Sequence, residues 1–426
     1  MAPRRSLQFL NLNTPFWGVF RFMQKIILHI DMNSYFASVE QQANPFLRGK
    51  PIGITGKRSE RSIIATASIE AKKLGVKTAM STWQAKKICP NLMLIAGDPE
   101  KYSEITHRFN KLFFEFTPLV EQFSVDESFL DITEQAKDWF GAVCHAQQLR
   151  ERLREECGEW ITASIGIAPN KLLAKLSSDL VKPNGITLTR EEDAITRLDS
   201  VKLTELCGIG HQMGKRLNNL GITTFKGLRE FPLNELIDEF DSYGMWLHEA
   251  AHGREIGGSD VNPKEEDPKS IGHSYTLPTD TFDPVLMQRY LLGMCEKVAW
   301  RMRCDKFVAN AVSIQIRYGD FSSHSKQHVF KESTADGLRL FEIAWRLVEI
   351  IRDKSKPVRL LGISASHLTH ASAPNSLFKK EQKHLSVLSA LDKIQSRYGS
   401  KSWTRASLLP IAFQDRASGL GYDHEL

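Results

Sequence analysis

Three acidic residues stand where two apolar stretches of the chain can bring them together. Asp126 and Glu127 are adjacent at the predicted tip of a β-hairpin over 123–132, and Asp31 ends the apolar run 25–32. Neighbouring carboxylates among apolar strands repel each other unless a cation neutralises them. If the run that ends in Asp31 pairs with the hairpin, the three carboxylates converge. Their oxygen ligands suit Mg²⁺, with Mn²⁺ as a substitute.

Two divalent ions about 3.5–4 Å apart are the usual apparatus for in-line displacement at phosphorus. Each acid taken alone also has a plainer explanation. Asp31 would cap the helix that follows it, and Asp126 and Glu127 would be turn residues. The convergence of all three is therefore what favours phosphoryl-transfer chemistry.

The surrounding elements predict the frame that holds the acids. Counting the first strand and the helix after it, the predicted order of elements is strand, helix, strand, strand, helix, strand. This order is typical of a ferredoxin-like unit with an antiparallel sheet. A smaller insertion with short strands and helices lies between the first strand and the hairpin. The main predicted elements of the unit are helices over 102–116, 136–157 and 170–180 and a strand over 160–167.

Composition bounds the class of protein. The 426 residues should form about two to four domains, and the net charge of +6 is compatible with a polyanionic partner. The six cysteines include no C-x-x-C pair, which argues against a zinc site or disulfide framework and favours the cytoplasm. No apolar run is long enough to span a bilayer, so we expect no membrane contact. Residues 1–22 have no periodicity, so we expect a disordered extension, with either Met1 or Met23 as the start.

Beyond residue 187 the pattern changes to short helices. Gly208 and Gly210 separate two Leu-rich stretches in a manner typical of a helix-hairpin-helix. Such glycines let N–H groups at a helix N-terminus bind a DNA phosphate without reading sequence, and a plain helix pair is the alternative. Residues 254–269, rich in Gly, Pro and charge, are predicted to be a linker.

A last domain combines strands with two amphipathic helices, over 284–304 and 337–352, which predicts an α/β sandwich. Its cations could lie along a DNA groove, and a solvated face is the alternative. The arginines we single out for DNA contact are Arg301, Arg303, Arg317 and Arg359. The tail from 370 is polar, with a short helix predicted over 385–398.

Four segments in order resemble the Y-family DNA polymerases, the translesion class, and within it the DinB-like branch. Together they are far more specific than any one motif, and the match is collinear from about residue 23 to about residue 369. The segments are 31–40 (DMNSYFASVE), 124–127 (SVDE), 164–175 (SIGIAPNKLLAK) and 178–185 (SDLVKPNG).

The resemblance implies an α+β multidomain polymerase with a ferredoxin-like palm, small fingers, a helical helix-hairpin-helix thumb and an α/β little finger. The implied divisions are the extension 1–22, palm 23–34 and 99–187, fingers 35–98, thumb 188–253, linker 254–269, little finger 270–369 and tail 370–426.

The resemblance also implies roles for individual residues. Asp31, Asp126 and Glu127 would be the catalytic residues and would bind two Mg²⁺ ions with the Met32 carbonyl. Phe36 would be the steric gate under the sugar, with core packing as the alternative. The residues implied to bind the nucleotide are Tyr35, Phe36, Thr66, Lys72 and Lys182.

The chain departs from the family at two places. Asn33 stands where the family usually has an acid that is not normally a metal ligand. The usual Tyr-x-Ala-Arg step after the phosphate-contacting Thr is here Ile69 to Lys72, and a lysine cannot make the two-pronged phosphate contact of an arginine. We therefore expect weaker nucleotide binding with intact chemistry, unless nearby cations fill the role.

The predicted function is template-directed DNA synthesis of the translesion type, with low fidelity and the ability to copy damaged DNA. A catalytically inactive DNA-binding accessory of the same lineage is the alternative, and the intact carboxylates argue against it. A palm cyclase shares the two-metal sheet but has no use for a helix-hairpin-helix. The expected partners are primer-template DNA and dNTPs, bound by a monomer. A faint likeness to a clamp-binding peptide, without its Gln, lies near Leu377 and Phe378 and suggests the sliding clamp.

Overall fold

The computed structural model describes residues 24–56, 62–257, 260–261, 267–371, 379–399, 402–409 and 411. The predictions for residues 1–22 and Met23, and the clamp-like segment near Leu377 and Phe378, lie outside the described residues. The same holds for residues 258–259 and 262–266 of the predicted linker.

Within the described residues, the strands are β1 (Ile27–Met32), β2 (Ile52–Thr55), β3 (Thr66–Ala67), β4 (Met93–Ala96), β5 (Val120–Gln122), β6 (Glu127–Asp131), β7 (Ala163–Ala168), β8 (Ile186–Leu188), β9 (Ser270–Thr281), β10 (Phe307–Tyr318), β11 (Ser323–Thr334) and β12 (Val358–His370). The α-helices of the same residues are α1 (Tyr35–Ala43), α2 (Ile69–Lys73), α3 (Thr82–Ile88), α4 (Pro99–Phe116), α5 (Thr133–Ala136), α6 (Trp139–Cys157), α7 (Lys171–Leu180), α8 (Ala194–Asp199), α9 (His211–Asn219), α10 (Phe225–Glu230), α11 (Leu233–Phe240), α12 (Ser242–Ala251), α13 (Pro284–Cys304), α14 (Gly337–Ile351) and α15 (Lys379–Tyr398). The predicted α+β class is confirmed.

The central sheet has five strands in the order β5-β6-β1-β7-β8. β1 is antiparallel to both β6 and β7, so the strand that ends near Asp31 pairs with the hairpin as predicted. Successive side chains of a strand point to opposite faces. Leu28 and Ile30 therefore join the core that α4 and α6 cover, whereas Ile27 packs with Leu173 of α7 on the other face. Asp31 is four residues after Ile27, so its side chain lies on the same face of the sheet as that of Ile27.

Helix α7 lies unusually close to this sheet. An added Cβ at Gly166 of β7 would stand 1.9 Å from the Ala174 carbonyl oxygen and 2.5 Å from the Ser178 nitrogen, so only glycine fits. The helix begins at a side-chain cap, where the Asn170 oxygen accepts from the Leu173 N–H at 2.8 Å. These two residues explain why the Ser-Ile-Gly-Ile-Ala-Pro-Asn-Lys motif places the α7 lysines beside the end of β1.

Three smaller units complete the chain. The first is a three-stranded sheet in the order β3-β2-β4, with α2 and α3 packed around Ala71 and Ala85. The second is helical, α8 to α12, around a core that includes Leu217 and Phe225. The third is a four-stranded sheet in the order β11-β10-β12-β9, with α13 and α14 sharing its core. The predicted domain limits stay predictions. The first two units fall within them, and β12 of the third unit runs one residue past its predicted limit, to His370.

The sequence did not predict every element of the last unit. β11 was missed because seven of its successive side chains, residues 323–329, are exposed and mostly polar, which removes the hydrophobic alternation that marks a strand. The sequence predicts a polar tail with a short helix over 385–398, whereas α15 begins at Lys379 and its Leu388 is 3% exposed. The tail helix therefore packs against the folded chain.

Candidate active site

The three predicted carboxylates meet at one end of the central sheet. Asp31 in β1 and Glu127 in β6 are directly opposite each other in an antiparallel pair, so their side chains share a face. The carbonyl of Asp126 accepts a 3.0 Å hydrogen bond from the Met32 N–H. Backbone pairing therefore brings all three acids to the place that the sequence predicts.

Two lysines from α7 and the turn after it face these acids. Lys182 donates to Asp31 Oδ2 at 2.7 Å, and Lys175 donates to Glu127 Oε1 at 2.6 Å. Asp126 differs, because its Oδ1 accepts from the Ser124 hydroxyl at 2.8 Å. Lys182 was predicted from its turn, whereas Lys175 was missed. The sequence pattern that could have indicated Lys175 is its spacing of one helical turn from Lys171, which places both lysines on the face of α7 that meets the sheet.

Burial and like charge make the carboxylates costly to ionise. Burial raises the pKa of Asp126, and the negative charge of Asp31 raises it further. The pKa of Asp31 is also raised by burial, although Lys182 opposes the shift. For Lys182, burial alone would lower the pKa, but the attraction of Asp31 and of Asp179 outweighs it and leaves the pKa above its ordinary value. The site favours additional positive charge.

The donor chemistry of this site fits hard divalent cations, since carboxylate and carbonyl oxygens are the ligands that Mg²⁺ and Mn²⁺ prefer. Among the described residues, no three His, Cys, Asp or Glu side chains are grouped as a ready ligand set. Asp31 and Glu127 are instead bonded to lysines. Each lysine bonds one oxygen of its carboxylate, so an ion at this site would compete with Lys182 and Lys175 for Asp31 and Glu127.

Asn33, the departure from the usual acid, ties the Lys182 turn to β1. Its Oδ1 accepts from the Asn184 N–H at 2.7 Å and from the Thr162 hydroxyl at 3.1 Å, and its Nδ2 donates to the Ser164 hydroxyl at 2.9 Å. The side chain is buried and both of its polar atoms are bonded. An amide supplies both the acceptor and the donor that these three partners need.

We expect Asn33→Ala to raise the KM for dNTPs about fivefold or more, since a lost buried hydrogen bond of about 1 kcal/mol would free the turn that carries Lys182. The kcat should change much less. Asn33→Asp keeps the acceptor for Asn184 and should largely restore the KM. Steady-state incorporation with melting temperatures checks this, and an unchanged KM in a protein that merely melts earlier would contradict it.

An aromatic wall forms where α1 meets α4. Phe36 stacks on Tyr102 with ring centroids 4.5 Å apart, and Phe36 itself is half-buried. Tyr102 is fixed in turn, because its hydroxyl donates to the buried carboxylate of Glu40 at 2.9 Å. Lys101 completes this pair at 2.9 Å from Glu40. Sequence reasoning found Phe36 but missed Tyr102, whose periodic place in α4 marks only a core residue.

Tyr35 lies in the core rather than in the site. It is 1% exposed, and its hydroxyl donates to the Tyr102 carbonyl at 2.7 Å and lies 2.8 Å from the Thr106 hydroxyl. Its side chain is therefore unavailable to a nucleotide. A contact from Tyr35 would have to come from its backbone N–H at the first position of α1, where no intrahelical partner exists.

Comparisons with known proteins agree with this geometry. The impB/mucB/samB family model matches residues 30–179, and the model of that family's C-terminal domain matches residues 268–377. A curated relative, DNA polymerase IV of Listeria monocytogenes serotype 4b, is 34% identical over 342 residues, which cover 80% of this chain and 95% of the relative. The chain belongs to the Y-family DNA polymerases.

Two further similarities extend this result. DNA polymerase IV of Pelotomaculum thermopropionicum is 34% identical over 388 residues, covering 90% of this chain and 96% of that one. A solved Y-family DNA polymerase chimera superposes with a TM-score of 0.73 at 26% identity, covering 81% of this chain and 99% of the chimera. The protein is a DinB-like DNA polymerase of the translesion type that acts on DNA, and its family depends on divalent metal ions.

The other predicted nucleotide residues of this Y-family polymerase lie in the small three-stranded unit. Thr66 is half-buried in β3, and Lys72 lies in α2. The pKa of Lys72 is lowered by burial and by the charge of Lys182, while Asp31 and Asp126 act in the opposite direction. Its ammonium group is thus close enough to feel both carboxylates. The triphosphate roles of Thr66 and Lys72 stay predictions.

The two thumb glycines of the polymerase differ in kind. Gly208 has φ of 101°, and a Cβ there would stand 2.4 Å from the Trp246 ring, so this glycine is required by the fold. Gly210 is the N-cap of α9, and a Cβ there meets no described atom within 4 Å. Only Gly210 presents open backbone that a phosphate could approach.

The four predicted DNA-contacting arginines have different surroundings. Arg303 is committed to the tail, since its guanidinium donates to both carboxylate oxygens of Asp392 at 2.7 Å. Arg301 donates to the Gly272 carbonyl at 3.3 Å, and Arg359 lies 3.6 Å from Asp280. Arg317 is partly exposed on β10, out of phase with the core residue Ile316. Arg317 is thus the arginine best placed for DNA, and Arg303 the least available.

Proposed function

We propose that the polymerase transfers nucleotides with two Mg²⁺ ions, or Mn²⁺ as a substitute, held by Asp31, Asp126 and Glu127 and by the Met32 carbonyl. The observation that carries this proposal is the cross-strand pairing of Asp31 with Glu127, which gives two carboxylates one face. When bound, the ions would lower the pKa of the primer hydroxyl and stabilise charge on the leaving phosphates.

The chain's own residues would prepare this step by exchanging partners. Lys182 is held by Asp31 and by Asp179, each at 2.7 Å, and would turn from Asp31 to the triphosphate. Lys175 would release Glu127 in the same way. Lys72 supplies a further cation on the side of α2, so a nucleotide would bring its negative charge to three ammonium groups. Phe36, supported by Tyr102, would exclude a ribose 2′-hydroxyl.

DNA would be held without sequence reading by the N-terminus of α9 and by the polar face of the four-stranded sheet. That face carries Ser313, Gln315 and Arg317 on β10, opposite the side that α13 and α14 cover. Hydroxyl, amide and guanidinium groups are common partners of phosphate oxygens. We also propose that the protein is a monomer and that it is cytoplasmic. The six free cysteines support the cytoplasm, through the reducing compartment that they imply. No helix of the described residues has the length and hydropathy needed to cross a membrane.

We expect Gly210→Leu to weaken duplex binding about fivefold or more and equally on unrelated sequences, because the new side chain would stand where a phosphate approaches the α9 amides. The melting temperature should fall only slightly, because the space is open and only the N-cap preference for glycine over leucine is lost. Gly208→Ala is the matched contrast, and it should lower the melting temperature through the Trp246 clash. Loss of binding on one DNA sequence alone would contradict the proposal.

Primer extension on a primed template tests the function itself. Wild type should extend the primer with Mg²⁺ or Mn²⁺, stop extending when EDTA is added, and copy past an abasic site in the template. The accessory alternative predicts DNA binding without extension under any of these conditions, and that result would overturn the proposal.

A further inference from the structure

Trp83 is an exposed aromatic residue that does not contribute to the packing of its own helix. It is 70% exposed on α3, whose buried residues are Thr82 and Ala85. Ala85 packs with Ala71 and Cys89 in the small core of this unit. Since that core holds α3 in place, the indole ring is left free for another contact.

The ring lies in a strongly cationic environment. Lys87 stands one helical turn after Trp83, with Nζ 5.5 Å from the ring centroid, and Lys86 is on the same outer face. Residues 71–97 contain five lysines and no acidic residue. Within the part of the chain that the structure describes, Lys73, Lys77, Lys86 and Lys87 form no ion pair with a carboxylate. We call Trp83, Lys86 and Lys87 the Trp83 face.

Helix α3 is also tied to the nucleotide site. Its Ala85 shares a core with Ala71 of α2. The residue before Ala71 is Glu70, whose carboxylate accepts a 3.2 Å hydrogen bond from Gln41 Nε2 of α1. Helix α1 begins four residues after Asp31, so the Trp83 face belongs to a unit that packs beside the end of the strand that carries this carboxylate.

We propose that the Trp83 face binds the single-stranded template ahead of the primer end, with a base stacked on the indole and the lysines beside the phosphates. Base stacking on an aromatic ring combined with a positively charged track is how proteins hold unpaired strands without sequence preference. A duplex offers no free base face, so the exposed ring favours a single strand. The proposal rests on the polymerase function but concerns binding alone.

The test measures the affinity of nucleotide-free protein for labelled primer-templates by anisotropy. The templates carry either one unpaired nucleotide or about ten. Wild type should bind the long overhang more tightly by about fivefold or more, the value of one stacked base. Trp83→Ala should remove this preference and leave affinity for the short overhang unchanged. Trp83→Phe should retain most of it because a ring remains.

Two controls make the result specific. Phe140→Ala removes an equally exposed aromatic residue, 80% exposed on α6, and should keep the preference. A long overhang built of abasic sites has phosphates but no bases, so Trp83→Ala should bind it as wild type does. Equal affinity of wild type for both overhangs, or an undiminished preference in Trp83→Ala, would overturn the proposal. An undiminished preference in Trp83→Ala would mean that the Trp83 face binds another partner. Primer extension on the short overhang reports separately whether polymerase activity is intact.

Discussion

Asp126→Ala should reduce nucleotidyl transfer about a thousandfold or more, because the proposed two-metal catalysis would lose several kcal/mol with one of its carboxylate ligands. Asp126 is the cleanest of the three acids to change. Its carboxylate accepts from the hydroxyl of Ser124, two residues earlier, whereas Asp31 and Glu127 each hold a lysine. DNA affinity should stay within a few-fold of wild type, since phosphate contacts elsewhere supply it.

Asp131 offers the matched control. It lies in β6, the strand that begins directly after Asp126, opposite Ile27 at the far end of the pair, and its Oδ1 accepts from the Thr133 N–H at 3.0 Å. Asp131→Asn keeps that acceptor and should keep full activity. Single-turnover incorporation, measured beside DNA binding, distinguishes the two variants. Activity of Asp126→Ala above about a tenth of wild type would reject the metal assignment.

The pairing of Asp31 with the hairpin was predictable because it depends on local patterns. Two apolar runs ending in acids suffice to predict strands, and the order of elements predicts which strands become neighbours. The partners of Asn33 were not predictable in the same way. Thr162, Ser164 and Asn184 come from a strand and a turn more than a hundred residues away, and short polar side chains carry no periodic signal. Their proximity depends on how α7 and β7 pack.

The tail shows the same limit more strongly. Asp392 holds Arg303, and Arg405 donates to Glu296 Oε1 at 2.6 Å across 109 positions of the chain. Read from the sequence, Arg303 was a cation available to DNA, because a charged residue on a helix usually faces solvent. Its partner lies 89 positions later in a segment that reads as polar. A partly buried ion pair between distant segments leaves no trace in the pattern of either segment, so only the fold shows the contact of Arg303 with the tail. The DNA contact of Arg303 stays a prediction.

Phe36→Ala should lower the preference for dNTP over rNTP about a hundredfold, the scale on which an apolar wall rejects an added hydroxyl. Loss of a fully buried Phe would instead cost about 3–5 kcal/mol of stability. Phe36 is half-buried, so we expect a smaller drop in melting temperature. The measurement is the ratio of dNTP to rNTP incorporation beside the melting temperature. An unchanged ratio with a much lower melting temperature would show that Phe36 only packs.

Variants of Tyr102 test whether sugar selectivity depends on the position of the Phe36 ring as well as on its presence. Tyr102→Phe keeps the ring stacked 4.5 Å from Phe36 and loses only the hydroxyl bond to Glu40, so selectivity should be nearly unchanged. Tyr102→Ala removes the support and should lower selectivity part of the way towards Phe36→Ala, because an unsupported ring can tilt away from the sugar. Tyr35→Phe is the control, since it removes two buried hydroxyl contacts, one of them to the Tyr102 backbone, and leaves both rings of the Phe36–Tyr102 stack in place. A loss of selectivity in Tyr35→Phe as large as in Tyr102→Ala would assign the effect to general loosening of α1 and α4 rather than to the position of the wall.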